Sequence, residues 1–406
     1  MKLTTDQEKA YDGIMKWMSG KGDWCYKLAG YAGTGKTTLL QHIINGMDDV
    51  PFCCAPTGKA ASVLESKLSS DAVVTTVHKA LYAPVAPCTE KIEAMIAELK
   101  KNPDNAQLRA DIAAEKKEMS KQKLSFTSKL KNGEYEGRTF ITDEASMINK
   151  KMADDFKYSG ARVLFVGDPG QLPPVGDGGW FGNGSPDYTL EKVMRQALDN
   201  PIIRLSMDIR KNGYCSPAQY TNCPEVKIVK KSDLPVDEWL AVDQVLTGSN
   251  YLRRRINRFF RKQYGYEEQT PLKGEKLICL KNDFEHYGLI NGIPATCSES
   301  AYVDDDGELR MSALFEDEIK TDMAIYTYPF EAHYKTNAQE DPWIMRRSLA
   351  EFDWAYAITV HKSQGSEWKN VLLADDGFFS RNMDDRKKWL YTAITRAKEN
   401  LIWVQE

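Results

Sequence analysis

Gly30-Tyr31-Ala32-Gly33-Thr34-Gly35-Lys36-Thr37 satisfies the pattern G-x-x-x-x-G-K-[ST], follows an apolar run and leads into the helical Leu39-Leu40-Gln41-His42-Ile43-Ile44. Strand, loop and helix in that order suit the binding of a nucleoside triphosphate. Glycines there let backbone N–H groups curl around phosphate oxygens, and the following helix adds partial positive charge at its N-terminus. Lys36 would neutralise the β- and γ-phosphates and Thr37 would ligate Mg²⁺, with Ala32, Gly33, Thr34, Gly35 and Thr38 completing the seat. Hydrolysis needs an acidic partner on a neighbouring strand, and Thr139–Thr142 runs directly into Asp143 and Glu144. Asp143 is expected to hold the Mg²⁺ water shell and Glu144 to polarise the attacking water as general base. A third strand, Arg162–Val166, ends in Gly167-Asp168-Pro169-Gly170-Gln171-Leu172-Pro173-Pro174-Val175. The plain reading of that turn is a rigid bend; the chemical one is that the Gln171 amide donates to the γ-phosphate and reports its loss.

The elements that must position these groups follow from apolar spacing. Thr5-Asp6-Gln7-Glu8 reads as a capping box, after which Ala10, Ile14, Trp17 and Met18 recur at helical intervals. Strand-like runs are predicted at 24–29, 51–55, 139–142, 162–166, 244–247, 354–360 and 370–374, with helical stretches between many of them. This alternation predicts parallel sheets flanked by helices. Two stretches interrupt it. Lys91–Lys123 is charged and helix-favouring, broken at Asn102-Pro103, and predicts a helical hairpin. From Lys273 to Arg347, pieces such as Lys276–Leu280, Thr296 and Arg310–Leu314 are separated by turns at Asn291-Gly292 and Asp306-Gly307, predicting a small β-module. The run Arg253-Arg254-Arg255, Arg258, Arg261-Lys262 predicts a helix whose basic side is either a solvated face or a nucleic-acid contact.

Composition narrows the class. A chain of 406 residues favours two to four packed units, and 42% hydrophobic with 28% charged residues is globular. No apolar run of about 18 residues and no signal-like start is present, so a cytoplasmic location, or a host's cytoplasm, is expected without a membrane. Eight cysteines without paired C-x-x-C spacing predict reduced thiols rather than a disulfide frame or a zinc site. A net charge of −4 means that any nucleic-acid contact must come from local grooves.

Further segments stand in a fixed order: Leu3 to Gln7; Ala55-Pro56-Thr57-Gly58-Lys59-Ala60-Ala61; Thr76-Val77-His78-Lys79; Val193-Met194-Arg195-Gln196; Thr359-Val360-His361-Lys362-Ser363-Gln364-Gly365-Ser366-Glu367; and Leu390-Tyr391-Thr392-Ala393-Ile394-Thr395-Arg396-Ala397-Lys398. With the phosphate loop and the Asp143-Glu144 pair, they resemble superfamily 1 helicases, more narrowly the 5′-to-3′ group typified by RecD and the phage helicase Dda, over nearly the whole chain.

The resemblance implies an α/β fold of two RecA-like lobes with parallel sheets: residues 1–82 and 132–190 as the ATP-binding lobe, 191–270 and 348–406 as the second. A helical insertion at 83–131 would belong to the first lobe and an SH3-like β-insertion at 271–347 to the second. It implies ATP and Mg²⁺, Gln7 as adenine reader, and Arg195 and Arg396 as arginines sent to the γ-phosphate. Gln364 and Gly365 would lie near ribose or phosphates, and the plain alternative for His361 to Ser363 is a helix cap. Pro56, Thr57, Lys59, Thr76, His78, Thr359, His361, Lys362 and Ser363 would contact the strand. Single-stranded DNA and junctions with duplex are the implied partners, with a single-strand-binding protein as a further one, for a monomer of phage type. The first insertion departs from the family's β-hairpin pin, which shifts strand separation to flanking residues such as Phe126 or to another surface. The competing expectations are a translocase that remodels without unwinding, an RNA-directed helicase, and a non-enzymatic binder with a degenerate nucleotide site.

Overall fold

Short apolar strands that alternate with helices can bury both faces only by stacking side by side. In the first half of the chain they do so as β1 (Cys25–Gly30), β2 (Phe52–Ala55), β3 (Val73–Thr76), β6 (Thr139–Thr142), β7 (Arg162–Gly167) and β8 (Tyr188–Leu190), in the order β3-β2-β6-β7-β1-β8. Every pairing in this sheet is parallel. The computed structural model describes residues 2–84, 126–128, 135–194, 198–335 and 348–405 apart from 21, 48, 69–71, 175, 177–178, 284–285, 306, 317 and 378–381, together with residue 346 and scattered residues between 94 and 114.

Successive strand residues point to opposite faces. Leu28, Ile141, Leu164 and Val166 pack with Ile14, Leu39 and Ile43 on one side of this sheet, and Phe140, Val163 and Phe165 pack with Met152 and Phe156 on the other. The first helix, Thr5–Ser19, begins one residue earlier than the predicted capping box: Thr4 is the cap, and Gln7 closes the box. Between β4 (Tyr82–Pro84) and β5 (Phe126–Ser128), which pair antiparallel, lies the predicted helical hairpin. The described residues between 94 and 114 are mostly helical; Asn102-Pro103 and the side chain of Phe126 lie outside the described residues.

The second half contributes β9 (Val226–Lys230), β10 (Gln244–Thr247), β11 (Lys276–Cys279), β12 (Pro294–Val303), β13 (Leu309–Leu314), β14 (Ile319–Ala324), β15 (Phe352–Trp354), β16 (Ala357–Thr359), β17 (Trp368–Ala374) and β18 (Ala397–Gln405). They form a parallel sheet, β16-β10-β17-β18-β9, and an antiparallel one, β14-β13-β12-β11-β15. The stretch 354–360, expected as one strand, is thus divided between two sheets. Buried Asn257 satisfies the backbone at the crossing, donating to Trp354 O at 2.9 Å and accepting from Ala357 N at 2.8 Å.

The arginine run is also not a uniform basic face. Helix Asn250–Gln263 turns Arg253 and Arg261 inward beside Ile256 and Phe260, whereas Arg255, Arg258 and Lys262 are exposed. Arg253 pairs with Asp353 at 2.6 Å, and Arg261 with Glu275 at 2.7 Å. Both ion pairs fasten the antiparallel sheet to the second lobe. No helix among the described residues is long and apolar enough to cross a membrane, and the described cysteines are free thiols.

Candidate nucleotide cleft and strand-facing loops

Since β6, β7 and β1 are parallel neighbours, the loops that leave their C-terminal ends share one edge of the sheet, where ligands of such sheets bind. The phosphate loop, the acidic pair and the sensor turn meet there. Gly33 and Gly35 both take φ 76°, in the left-handed region that a side chain disfavours. Any side chain at Gly35 would collide with the Gln7 amide, so the seat is open only because glycine stands there. Lys36 Nζ lies over the loop, donating to Gly30 O at 2.7 Å and Tyr31 O at 3.1 Å. Thr37 and Thr38 follow in the first turn of helix Lys36–Asn45, whose cap is Gly35.

Gln7 is buried with both ends of its amide engaged. Its Oε1 accepts from Thr4 N at 2.9 Å, and its Nε2 donates to Thr34 O at 3.3 Å and Gly35 O at 3.1 Å. In this geometry it buttresses the phosphate loop from behind.

Glu144 takes φ 50° and ψ 39°. A left-handed conformation costs a non-glycine residue on the order of 1–2 kcal/mol, so a residue kept there is kept for its side chain. Its N–H donates to Asp143 Oδ1 at 2.9 Å. Burial pushes the Glu144 carboxyl up, the Asp143 charge pushes it further, and Arg396 and Lys36 pull it back down. Burial also raises Asp143, against the Glu144 N–H bond and the Lys36 charge. Gln171 is buried, and its Oε1 has no partner among the described residues. An orphaned amide oxygen at the mouth of the phosphate loop fits a site built to meet a polar ligand. The oxygens of Thr37 and Asp143 are the hard donors that Mg²⁺ takes.

The second lobe reaches the same cleft. Arg396 is 3% exposed, and its guanidinium donates to Thr392 O, Ser366 O and Thr395 Oγ1, all neutral acceptors. Gln364 Nε2 donates to Leu172 O at 2.8 Å, next to the sensor Gln171. The structure therefore places Gln364 on the sensor turn. Gly365, at φ 77°, lies so close to Ala60 that a Cβ there would come within 2.8 Å of the Ala60 Cβ. Arg195 lies outside the described residues.

Sequence reasoning missed several cleft residues. Tyr391 hydroxyl donates to Asp168 Oδ2 at 2.6 Å and accepts from Ala32 N at 2.7 Å. Thr392 Oγ1 accepts from Leu172 N at 2.9 Å, and the Arg210 guanidinium lies 3.6 Å from the Tyr31 ring centroid. Tyr391 and Thr392 sit in the same segment as Arg396, but only the tertiary fold shows that they touch residues more than two hundred positions away.

The residues expected to contact a strand stand at or just beyond the C-terminal ends of β2, β3 and β16. After Pro56, Thr57 Oγ1 caps helix Gly58–Lys67, and Thr76 Oγ1 caps Val77–Leu81; each hydroxyl keeps its own proton to donate. His78 packs against Tyr82, and burial followed by the Lys151 charge holds it below the usual imidazole range. Lys59 is ion-paired with Glu316 of the antiparallel module, and a Cβ on Gly58 would overlap Ile290 of the same module. In the second lobe, Thr359 stands at the N-cap position of the short 3-10 helix Val360–Ser363 without a side-chain capping bond. Ser363 is fully buried and donates to Val360 O at 2.8 Å, a structural bond that turns it away from the surface. Burial holds His361 and Lys362 below their usual ranges. Lys362 lines a cleft of about 210 Å³ with Asn250, Arg254, Tyr328 and Arg346.

Two parallel sheets, with a phosphate loop on one and a buried arginine on the other whose charge acts on Glu144, define a two-lobed P-loop protein. Comparison with known families specifies it further. The AAA domain family matches residues 2–221, more than half of the chain, and the UvrD-like helicase C-terminal domain matches residues 354–404. The chain belongs to the AAA domain family.

It is 26% identical over 405 residues to the ATP-dependent RecD2 DNA helicase of Deinococcus radiodurans, covering 92% of this chain and 46% of that protein. It is also 26% identical to an uncharacterized protein of Methanocaldococcus jannaschii, covering 93% of this chain and 36% of that protein. The chain thus spans less than half the length of either relative. Among solved structures, two coordinating Pif1 helicases at forked dsDNA align with TM-score 0.56 and 17% identity, covering 100% of this chain and 92% of that one. Bacteroides Pif1 bound to ssDNA aligns with TM-score 0.56 and 18% identity, with the same coverage. These likenesses establish the shared two-lobed α/β fold.

Proposed function

We propose that the chain is an ATP-dependent DNA helicase that moves 5′ to 3′ along single-stranded DNA and opens junctions with duplex. The observation that carries this reading is the convergence in one cleft of Lys36, Asp143, Glu144 and Gln171 from the first lobe with Arg396 from the second, while the ends of β2, β3 and β16 and the helix starts that follow them carry Thr57, Lys59, Thr76, His78, Thr359 and Lys362. Within this reading, Asp143 and Thr37 hold Mg²⁺, which when bound neutralises phosphate charge. Glu144 takes the proton of the attacking water, Gln171 and Gln364 transmit the state of the γ-phosphate to the second lobe, and Arg396 and Arg195 meet charge that develops on the phosphoryl group. Hydroxyl, ammonium and imidazole donors on the strand loops grip phosphates without reading sequence, as a motor on any sequence requires.

ATP turnover is expected to rise with added single-stranded DNA, and Lys36→Ala is expected to abolish the rise. Duplexes with only a 5′ or only a 3′ overhang test direction: opening solely from the 3′ overhang overturns the polarity. RNA in place of DNA as stimulant tests the choice of sugar. A second reading, a translocase that displaces bound protein without parting strands, draws on the helical character of the first insertion where the family can carry a β-hairpin pin. Streptavidin release from a tailed strand, with no strand separation on the same tail, would favour it.

Lys59 can reach a phosphate only by leaving Glu316. Glu316→Gln is therefore expected to tighten binding of a labelled oligothymidylate by up to about fivefold, the range of a partly exposed ion pair. The gain should shrink as salt rises; fluorescence anisotropy at two salt concentrations measures both.

A further inference from the structure

We infer that Tyr391 is the positioning residue through which closure of the second lobe sets the phosphate loop and the sensor turn together. This inference rests on the ATPase reading above. The phenol lies where the phosphate loop, the turn at Asp168 and a helix of the second lobe meet. Its hydroxyl accepts from Ala32 N of the phosphate loop at 2.7 Å and donates to Asp168 Oδ2 at 2.6 Å. The other carboxylate oxygen of Asp168 accepts from Gly170 N at 2.9 Å, and the Asp168 carbonyl accepts from Gln171 N at 3.1 Å. A chain of bonds thus runs from a helix of the second lobe, Met383–Ile394, through one carboxylate to the backbone that aims the Gln171 amide.

The fit is tight as well as polar. Tyr391 is 1% exposed, and a Cβ on Gly170 would lie 3.1 Å from the Tyr391 ring, so glycine is needed where the ring crosses the turn. Burial and the Asp168 charge hold the phenol well above its ordinary range, which keeps its proton available to Asp168. Adjacent contacts act along the same line: Thr392 Oγ1 accepts from Leu172 N, and Gln364 Nε2 donates to Leu172 O. The Leu172 peptide, next to the sensor glutamine, is therefore held at both its N–H and its carbonyl by the second lobe. When the lobes part, Ala32 N and Asp168 lose the phenol together and the turn loses its frame. Tyr391 thus acts through Asp168 and the loop backbone.

The test uses the full chain with ATP, Mg²⁺ and oligothymidylate, comparing wild type, Tyr391→Phe, Asp168→Asn and the double variant. Tyr391→Phe is expected to lower the DNA-stimulated kcat about 10- to 100-fold, the scale of a small misplacement in a site whose chemistry is intact. KM for ATP should stay within about twofold, because the lost bonds matter only as the cleft closes. The double variant should be no slower than the slower single variant, as two members of one chain require. A kcat for Tyr391→Phe within twofold of wild type, or rate losses that multiply in the double variant, overturns the inference. If Tyr391→Phe does not fold, Asp168→Asn carries the test, with the same loss of kcat at unchanged KM expected and an unchanged kcat overturning. Absence of DNA-stimulated turnover in wild type would instead sink the ATPase reading itself, so the two failures are distinct.

Discussion

Arg396→Lys is expected to lower DNA-stimulated ATP turnover by about 10³-fold or more, the scale on which an arginine finger acts in phosphoryl transfer. The side chain is held as a fork: Nε donates to Thr392 O at 3.0 Å, Nη1 to Ser366 O at 3.1 Å and Nη2 to Thr395 Oγ1 at 3.1 Å. Because those acceptors are neutral, the positive charge remains uncancelled and acts across the cleft, where it favours the ionised form of Glu144. A lysine keeps the charge but cannot fill three acceptors from one rigid plane. Its ammonium would be mobile where the guanidinium is fixed. Single-turnover hydrolysis measures the loss, and a melting temperature within a few degrees of wild type separates it from unfolding. A rate within tenfold of wild type would remove Arg396 from the phosphoryl-transfer machinery.

Arg261→Ala is expected to destabilise the protein by about 3–5 kcal/mol, the cost of leaving one member of a buried ion pair alone. Arg261 and Glu275 have side-chain exposures of 1% and 0%. Glu275 also accepts from Leu272 N at 2.8 Å, Trp354 Nε1 at 3.2 Å and Tyr356 hydroxyl at 3.3 Å, and the guanidinium lies 4.1 Å from the Trp354 ring centroid. With Arg261 gone, a carboxylate with no counter-charge would sit where the antiparallel sheet meets the second lobe. Replacing both partners, as Arg261→Met with Glu275→Leu, is expected to recover most of the loss, since no buried charge then remains. Denaturant unfolding of the three variants reports the difference. A single variant within 1 kcal/mol of wild type would show that the pair contributes little to the joint.

Much of the chemistry was legible in the residues alone, for a physical reason. Phosphate binding by backbone N–H groups needs glycines at fixed spacing beside a lysine, and that is a local property of Gly30–Thr37. The central strands were likewise legible, because a strand buried on both faces is a short apolar run: β6 and β10 appear at the predicted bounds. Edge elements were not. β3, β8 and β9 carry mixed side chains, and their pairing partners, not their own periodicity, make them strands. The same holds for 354–360, where Asn257, about a hundred positions away, decides that the chain leaves one sheet and enters another.

What the amino-acid sequence by itself determined was which residues are proposed to meet ATP and their order along the chain. The tertiary structure decided which of the remaining polar residues face that chemistry. Arg253 and Arg261 read as surface charge until helix 250–263 turned them inward, and Ser363 read as a strand contact until burial gave its hydroxyl to Val360 O. Tyr391 stood in the Arg396 segment with no role assigned until it met Ala32 and Asp168 across the cleft. A phosphate loop is made by neighbours in sequence, so sequence reveals it. A joint between two lobes is made by residues that only folding brings within hydrogen-bond distance, and no spacing along the chain encodes that encounter.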